Sequence, residues 1–443
     1  MKVVGLITEY NPFHNGHLYH IRKAREITGA DYVLVIMSGD FVQRGAPALM
    51  PKHLRAEMAL KAGASAVLEL PVCFAAGSAE YFAAGAIALA EKAGCVDAVC
   101  FGSECGDIGI LERIAEVLIQ EPEEYRACLQ ENLKSGRSFP QARQTALKSY
   151  FNGSLKGSLG DADLDAILGL PNNILGIEYI KALRSKKSAM AVHTIRRIGS
   201  GYHSETLPDG SCYGSASAIR RLISDVSGKT SRAYRTSLSS VQPLLDKQVP
   251  PFCIPVFHDA FGKRYPISGD DFSLLIKYRL MTETPDTLMR YMDVTEDLAN
   301  RIKKHRDEFI TLSQFLSLIK TRDMTYTRIS RCLFHILLNI TKEDLLLYKR
   351  KGFCQYARIL GFRTDGTPLL SLLKSCAGVP LITKLTRTDA LSSTGLNMLR
   401  QDIFASDLYE SVITDQFQTP FINEYQKQVV KIPGSHHEPL RSP

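Results

Sequence analysis

Two histidines three residues apart, His14 and His17, flank Gly16 where an apolar run ends and a helical pattern begins, in the stretch Glu9-Tyr10-Asn11-Pro12-Phe13-His14-Asn15-Gly16-His17. At a helix start the free backbone N–H groups and the positive end of the helix dipole favour a phosphate. Imidazoles at that spacing share one helix face, and a glycine lets a nucleotide approach the backbone closely. Such a site suits the charge that develops when a nucleophile attacks the α-phosphorus of ATP and pyrophosphate leaves. That chemistry needs positioning and neutralisation rather than a covalent nucleophile. The plainer reading is a pair of surface histidines at a turn, and the strand-then-helix context favours the phosphate site.

A second cluster lies about two hundred residues on, at Ser215-Ala216-Ser217-Ala218-Ile219-Arg220. Ser217 can cap or donate to phosphate, and Arg220 offers a planar fork for a β- or γ-phosphate. On its own this string reads more readily as an ordinary N-cap followed by a solvated arginine, and the pairing with the first motif reverses that. Asp40, in Ser38-Gly39-Asp40-Phe41-Val42-Gln43-Arg44-Gly45, follows the second apolar run and should face the same crevice. It is a candidate base, or a group that orients the substrate, against the alternative of a turn aspartate bonded to its own backbone. Lys52, His53 and Arg55 open the next helical stretch and read as a solvated face.

The elements that must position these residues alternate. Lys2–Ile7, Tyr32–Met37, Ala66–Leu70, Ala98–Phe101 and Ala191–Ile198 read as strands, while His17–Thr28, Pro51–Ala62 and Ala79–Ala93 read as amphipathic helices; a further helix opens at Pro171–Asn173. The expected class is α/β: a Rossmann-like parallel sheet with ligands at the carboxyl ends of its strands. Past residue 228 the pattern turns helical and basic, so the expected organisation is a catalytic domain over 1–228, a mainly helical domain over 229–431 and a disordered tail over 432–443. Asn152–Gly160 and Gly199–Gly201 read as loops.

The chain has 443 residues, 45% hydrophobic and 23% charged, enough for a large buried core. No apolar run reaches the ~18 residues of a membrane helix and no leader pattern opens the sequence, which points to the cytoplasm. Its ten cysteines include no CxxC pair and read as reduced core thiols. The net charge of +8 fits a polyanionic partner. Lys303 and Lys304, Arg328 and Arg331 on one helix face, and Lys349 with Arg350 are the candidate contacts to such a polyanion; Arg358 and Arg363, set among aromatics, are weaker ones.

The two phosphate motifs together resemble those of the HxGH nucleotidyltransferase superfamily. The longer strings GLITEYNPFHNGH, MSGDFVQRG, FGSE, PNNILG and IRRIGSGYH resemble the bacterial tRNA(Met) cytidine acetate ligase family. That resemblance implies a ligase that makes acetyl-adenylate from acetate and ATP, then acetylates N4 of the wobble cytidine, C34, of elongator tRNA(Met). It also implies ATP contacts at Ile7, Thr8, Glu9, Tyr10, Asn11, Pro12, Phe13, His14, Asn15, Gly16, His17 and His20, and at Gly102, Asn172 and Arg197, with His20 a turn beyond the core pair. Read from the residues alone, Gly102 is more simply a turn, while Asn172 is equally a helix cap and Arg197 equally a solvated strand end. Mg²⁺ is expected with the ATP phosphates. The competing reading is a cofactor-type adenylyltransferase with a small-molecule acceptor, which would need no basic second domain. Another is an RNA-binding protein with a degenerate nucleotide site, which the intact motifs oppose.

Overall fold

The structure is a computed structural model that describes residues 1–153, 164–198, 214–226 and 241–434. Its strands, in chain order, are β1 (Val3–Thr8), β2 (Tyr32–Ser38), β3 (Phe41–Val42), β4 (Ala46–Pro47), β5 (Ala66–Leu70), β6 (Ala98–Ser103), β7 (Ala191–Arg196), β8 (Ala357–Arg363), β9 (Leu381–Ile382) and β10 (Val430–Ile432). The main sheet runs β10-β8-β5-β2-β1-β6-β7, with β9 also on β8, while β3 and β4 form a separate hairpin. β1, β2, β5, β6 and β7 are mutually parallel. Val3, Val4, Leu6, Val35, Ile36, Val67 and Leu68 are all buried, the near-continuous apolar reading of strands covered on both faces.

From β1 the chain moves to β2 and β5, then crosses back to β6 on the other side of β1. The topological switch therefore lies between β1 and β6, and the crevice at their carboxyl ends is where such a sheet takes a ligand. The α/β expectation and the strand positions hold, with boundaries shifted by a residue or two.

The sheet does not stop at the expected boundary. β8 pairs antiparallel with β5, and β10 and β9 lie parallel to β8, so residues 357–363 and 430–432 complete the sheet begun by the first hundred residues. The division at residue 228 is corrected accordingly: a mainly helical segment does follow it, but the chain then returns to the first sheet. Arg358 is corrected with it. This residue is 5% exposed inside β8 and bonded to carboxylates, not presented to RNA, and Arg363 is held by Asp365. Ile432 belongs to β10 rather than to a tail, and Asn152 closes the helix Phe139–Gly153 rather than opening a loop. The rest of that expected loop, Gly199–Gly201 and residues 435–443 lie outside the described residues.

The β3–β4 hairpin fastens the helical segment to the sheet. Phe41 packs against Phe272, Phe334 and Tyr409 at ring distances of 5.5, 5.6 and 6.1 Å. Gly45 has φ +66°, and a side chain there would meet the backbone of Arg331, on the helix Tyr326–Leu337, at 2.4 Å. Only glycine satisfies both conditions.

Candidate active site

The helix Asn15–Thr28 begins at the carboxyl end of β1, and its cap fixes the chemistry of both histidines. The backbone N–H of Gly16 donates to His14 Nδ1 at 3.0 Å, and the backbone N–H of His14 donates to His17 Nδ1 at 3.3 Å. A nitrogen that accepts a hydrogen bond cannot carry the proton, so in both neutral rings the N–H is assigned to Nε2. The rings stack with centroids 3.8 Å apart, and Tyr10 sets its edge against His17. Burial, then the charges of Arg197 and Arg220, lower the His14 pKa to about 3. Burial and the neighbouring His14 and Arg197 hold His17 well below its ordinary value, and burial with Arg197 brings His20 to about 4. All three are neutral at pH 7.

Positive charge is supplied instead by arginines. Arg220 donates to the backbone carbonyl of Asn11 at 2.6 Å and to Ser217 Oγ at 2.9 Å, which joins the two sequence motifs physically. Burial and the nearby Arg44 lower its pKa to about 10, still charged at neutral pH. Arg197 follows β7 and lies across Gly102, where a Cβ would come within 3.3 Å of its Cγ. Among the described residues no carboxylate lies within ion-pair distance of Arg197 or Arg220.

The far wall is built by a residue that sequence reading did not single out. Glu104, just past β6, accepts from Asn172 Nδ2 at 2.6 Å and from the backbone N–H of Asn173 at 2.9 Å. Asn173 Oδ1 returns the bond, accepting from the backbone N–H groups of Glu104 and Cys105. This latch ties the start of the helix Pro171–Ser185 to the end of β6, and its signal was present in the string FGSE. Asn172 thus spends its amide N–H on Glu104 and keeps Oδ1 for another partner.

Behind the crevice lies a second concentration of charge. Arg55, fully buried, donates to the carbonyls of Glu9 at 2.6 Å, Ser38 at 3.1 Å and Met50 at 3.1 Å, and to that of Gly39. It clamps the loop after β1 to the loop after β2. Glu9 reinforces the clamp by accepting from the backbone N–H of Gln43 at 2.9 Å. Lys52 is also fully buried; its ammonium lies 2.7 Å from Glu69, 2.8 Å from Glu424 and 2.6 Å from Ser406 Oγ. Burial, the largest influence, opposes charge on Lys52, and Arg358 adds to that. The carboxylates of Glu424, Glu69 and Asp40 outweigh both and keep its pKa above the usual range. The reading of Lys52 and Arg55 as a solvated face is therefore corrected: each is a buried brace.

Asp40 is 4% exposed and accepts from the backbone N–H of Lys52 at 2.8 Å, with the Lys52 ammonium 3.8 Å away. Of the other expected contacts, Ile7, Thr8, Pro12 and Phe13 are buried along the β1 exit, Asn11 Oδ1 accepts from the backbone N–H of Leu49 at 2.7 Å, and Asn15 bonds Lys247. Lys303, Lys304, Lys349 and Arg350 are exposed, Arg328 and Arg331 half-buried; these cations are spread over the helices Glu296–His305, Tyr326–Leu337 and Lys342–Arg350. Among the described residues no helix is long and apolar enough to cross a membrane, and no three His, Cys, Asp or Glu side chains are grouped to hold a metal.

A switch-point crevice entered by a His-x-Gly-His helix start defines a nucleotidyl transferase, and the family described as HIGH Nucleotidyl Transferase matches residues 1–423. Relatives sharpen the class. A tRNA(Met) cytidine acetate ligase of Acetivibrio thermocellus is 42% identical over 92% of this chain and 94% of its own, and one from a Thermoanaerobacter species is 39% identical over 92% and 95%. Apo Thermotoga maritima TmcAL superimposes with a TM-score of 0.87 at 31% identity, covering 98% of this chain and all of its own; the same protein bound with alpha-thio ATP gives 0.85 at 32% identity with the same coverage. The chain belongs to the tRNA(Met) cytidine acetate ligase family of HIGH nucleotidyl transferases.

Proposed function

We propose that this protein joins acetate to a cytidine of tRNA(Met) at the expense of ATP, with acetyl-adenylate as the intermediate and N4 of the wobble cytidine of the elongator tRNA as the acceptor. The observation that carries the reading is the pairing of two neutral Nε2–H donors, His14 and His17, with Arg197 and Arg220, which have no carboxylate partner among the described residues. A triphosphate is the ligand that completes such a site.

In the first half-reaction an acetate oxygen bonds to the α-phosphorus as the bond from that phosphorus to the bridging oxygen breaks, and pyrophosphate departs with the electron pair. His14 and His17 donate to the phosphate oxygens that gain charge, Arg220 holds the departing β- and γ-phosphates through its fork, and Arg197 takes the α-phosphate or the adenine face. The remaining residues of the segment Ile7–His20 form the nucleotide's floor, Gly102 admits the ribose and Asn172 Oδ1 meets the adenine edge. In the second half-reaction the cytidine amine bonds to the acetyl carbon, AMP leaves with the carboxylate-derived oxygen, and the amine releases a proton. Asp40 serves this step as a positioning residue, because its carboxylate already holds the Lys52 N–H and ammonium. Lys303, Lys304, Arg328, Arg331, Lys349 and Arg350 supply backbone contacts to the RNA. Mg²⁺, when bound, would sit on the ATP phosphates and neutralise part of their charge. The cytoplasm, where tRNA and ATP are present, is the working compartment.

The test is acetate- and ATP-dependent acetylation of elongator tRNA(Met) by the purified chain, with AMP release followed and His17→Ala as control. Acetylcytidine at the wobble position, abolished in the variant, is expected. ATP turnover without RNA modification would instead favour a small-molecule acceptor.

A further inference from the structure

Away from the crevice, the described residues form an open cleft of about 360 Å³ whose walls include Arg137, Gln141, Gln144, Lys148, Asp165 and Arg322. It is far larger than a water or ion needs, at ~30 Å³ per water, and falls in the range that holds a small organic ligand. Its lining is polar and its charge incompletely balanced. Asp165 is held by Lys148 and Gln144. Among the described residues Arg137 donates to Thr145 Oγ1, at 3.0 Å, and neither it nor Arg322 makes an ion pair. Two guanidinium groups thus face a cavity that also offers carboxamides and a carboxylate, the set that meets a phosphate and the polar edge of a base.

Both walls of this cleft are wired to the catalytic crevice. Asp165 lies on the short helix Leu164–Gly169, whose Ile167 carbonyl accepts from Asn173 Nδ2 at 3.1 Å, and Asn173 is part of the Glu104 latch. Arg322 lies in the segment that leads directly into the helix Tyr326–Leu337. That helix carries Arg328 and Arg331, and the Arg331 backbone abuts Gly45. The neighbouring Arg44 is close enough for its charge to act on Arg220. Arg44 lies near Arg220, Gly45 against Arg331 and Arg328 near Arg331, while Arg322, a few residues before that helix, shares the cleft with Arg137. Asn172 and Glu104 lead to it from the other side.

We propose that this cleft seats a nucleotide of the substrate tRNA's anticodon arm other than the acceptor cytidine, with Arg137 and Arg322 on its phosphate and Gln141, Gln144 and Asp165 along its base edge. The proposal rests on the tRNA reading above and adds a site outside the ATP crevice. A loop nucleotide drawn out of its stack into such a pocket is how proteins read single-stranded RNA, while these arginines hold the connecting backbone.

The experiment uses the full chain with Arg137→Ala and Arg322→Ala combined, and separately Gln144→Ala. Acetate-dependent ATP–pyrophosphate exchange, which needs no RNA, should be unchanged in all of them. In the double variant KM for tRNA(Met) should rise about tenfold or more, and the dependence of tRNA binding on salt should flatten by about one to two in log–log slope. Gln144→Ala should narrow the preference for tRNA(Met) over transcripts altered elsewhere in the anticodon arm. A double variant with wild-type KM and salt slope, or one that loses exchange in parallel, overturns the proposal. Should the wild-type chain acetylate no tRNA, the functional reading itself falls, an outcome distinct from either.

Discussion

Two parts of this molecule are crowded with charge, and they handle it in opposite ways. Under the ends of β2 and β5, Lys52 and Arg358 meet Glu69, Glu424 and Asp40, each cation facing carboxylates. At the end of β1, Arg197 and Arg220 sit among neutral imidazoles, carbonyls and a hydroxyl, with no carboxylate in ion-pair distance among the described residues. Satisfied charge is a brace; charge left without a directly paired carboxylate, with only Glu104 and Glu9 acting from farther off, marks where a ligand completes the balance. Arg55 stands between the two cases. It is buried on neutral carbonyls, and by fixing two loops it transmits the geometry of the brace to the crevice.

The comparison can be broken at either end. The largest effect belongs to the brace: Lys52→Met leaves the buried Glu69, Glu424 and Asp40 one cation short, with Arg358 alone facing both glutamates from β8, and should lower unfolding free energy by about 3–5 kcal/mol in a denaturant titration. Removing a crevice cation should do the reverse. Arg220→Ala is expected to slow acetate-dependent ATP–pyrophosphate exchange by about 10²–10³-fold with the melting temperature kept or raised, because it relieves repulsion with Arg44. If that variant melts well below the wild type, Arg220 belongs with the braces. A smaller effect separates the two through Arg55→Lys, which keeps the charge and loses the fork; exchange should fall roughly tenfold, mostly in kcat, for a loss of ~1–2 kcal/mol in stability.

The smallest effect is a pH dependence. His14 and His20 have folded pKa values of about 3 and about 4, below the unfolded value of ~6.5, so their contribution is fully present above about pH 6.5 and is lost as pH falls toward those folded values. Each should cost on the order of 1 kcal/mol per pH unit on the way down. Melting curves between about pH 7.5 and 5.5 in the absence of nucleotide would show it, and a flat profile would mean that these rings are not held neutral.

Much of this was legible in advance. The apolar runs of β1, β2, β5 and β6, the helix start at His14 and the serine-to-arginine turn at Ser217–Arg220 announce themselves by local pattern, since burial on both faces and capping leave local traces. Lys52, Arg55 and Arg358 did not. Their partners include Ser406, Glu424 and Glu69, hundreds of residues from some of the cations they satisfy, and local periodicity treats a lysine as solvated whatever awaits it in three dimensions. Glu104 was visible only as part of a string, because a latch between a strand end and a helix start is a tertiary fact. The return of β8 to the first sheet was hidden for the same reason.

That return has a bearing on how the protein is made. β5 is complete at Leu70, yet the strand that covers its open edge begins at Ala357. At ~5–20 residues per second a ribosome leaves that edge bare for tens of seconds. Glu69, near the end of β5, waits just as long for Arg358. The nascent sheet is thus a strand edge that invites the wrong neighbour, and the loops Arg55 clamps stay only partly braced until the last fifth of the chain emerges. A messenger broken between the codons for Arg220 and Ala357 would yield a chain with every phosphate motif intact and without the strands that complete the sheet beneath them.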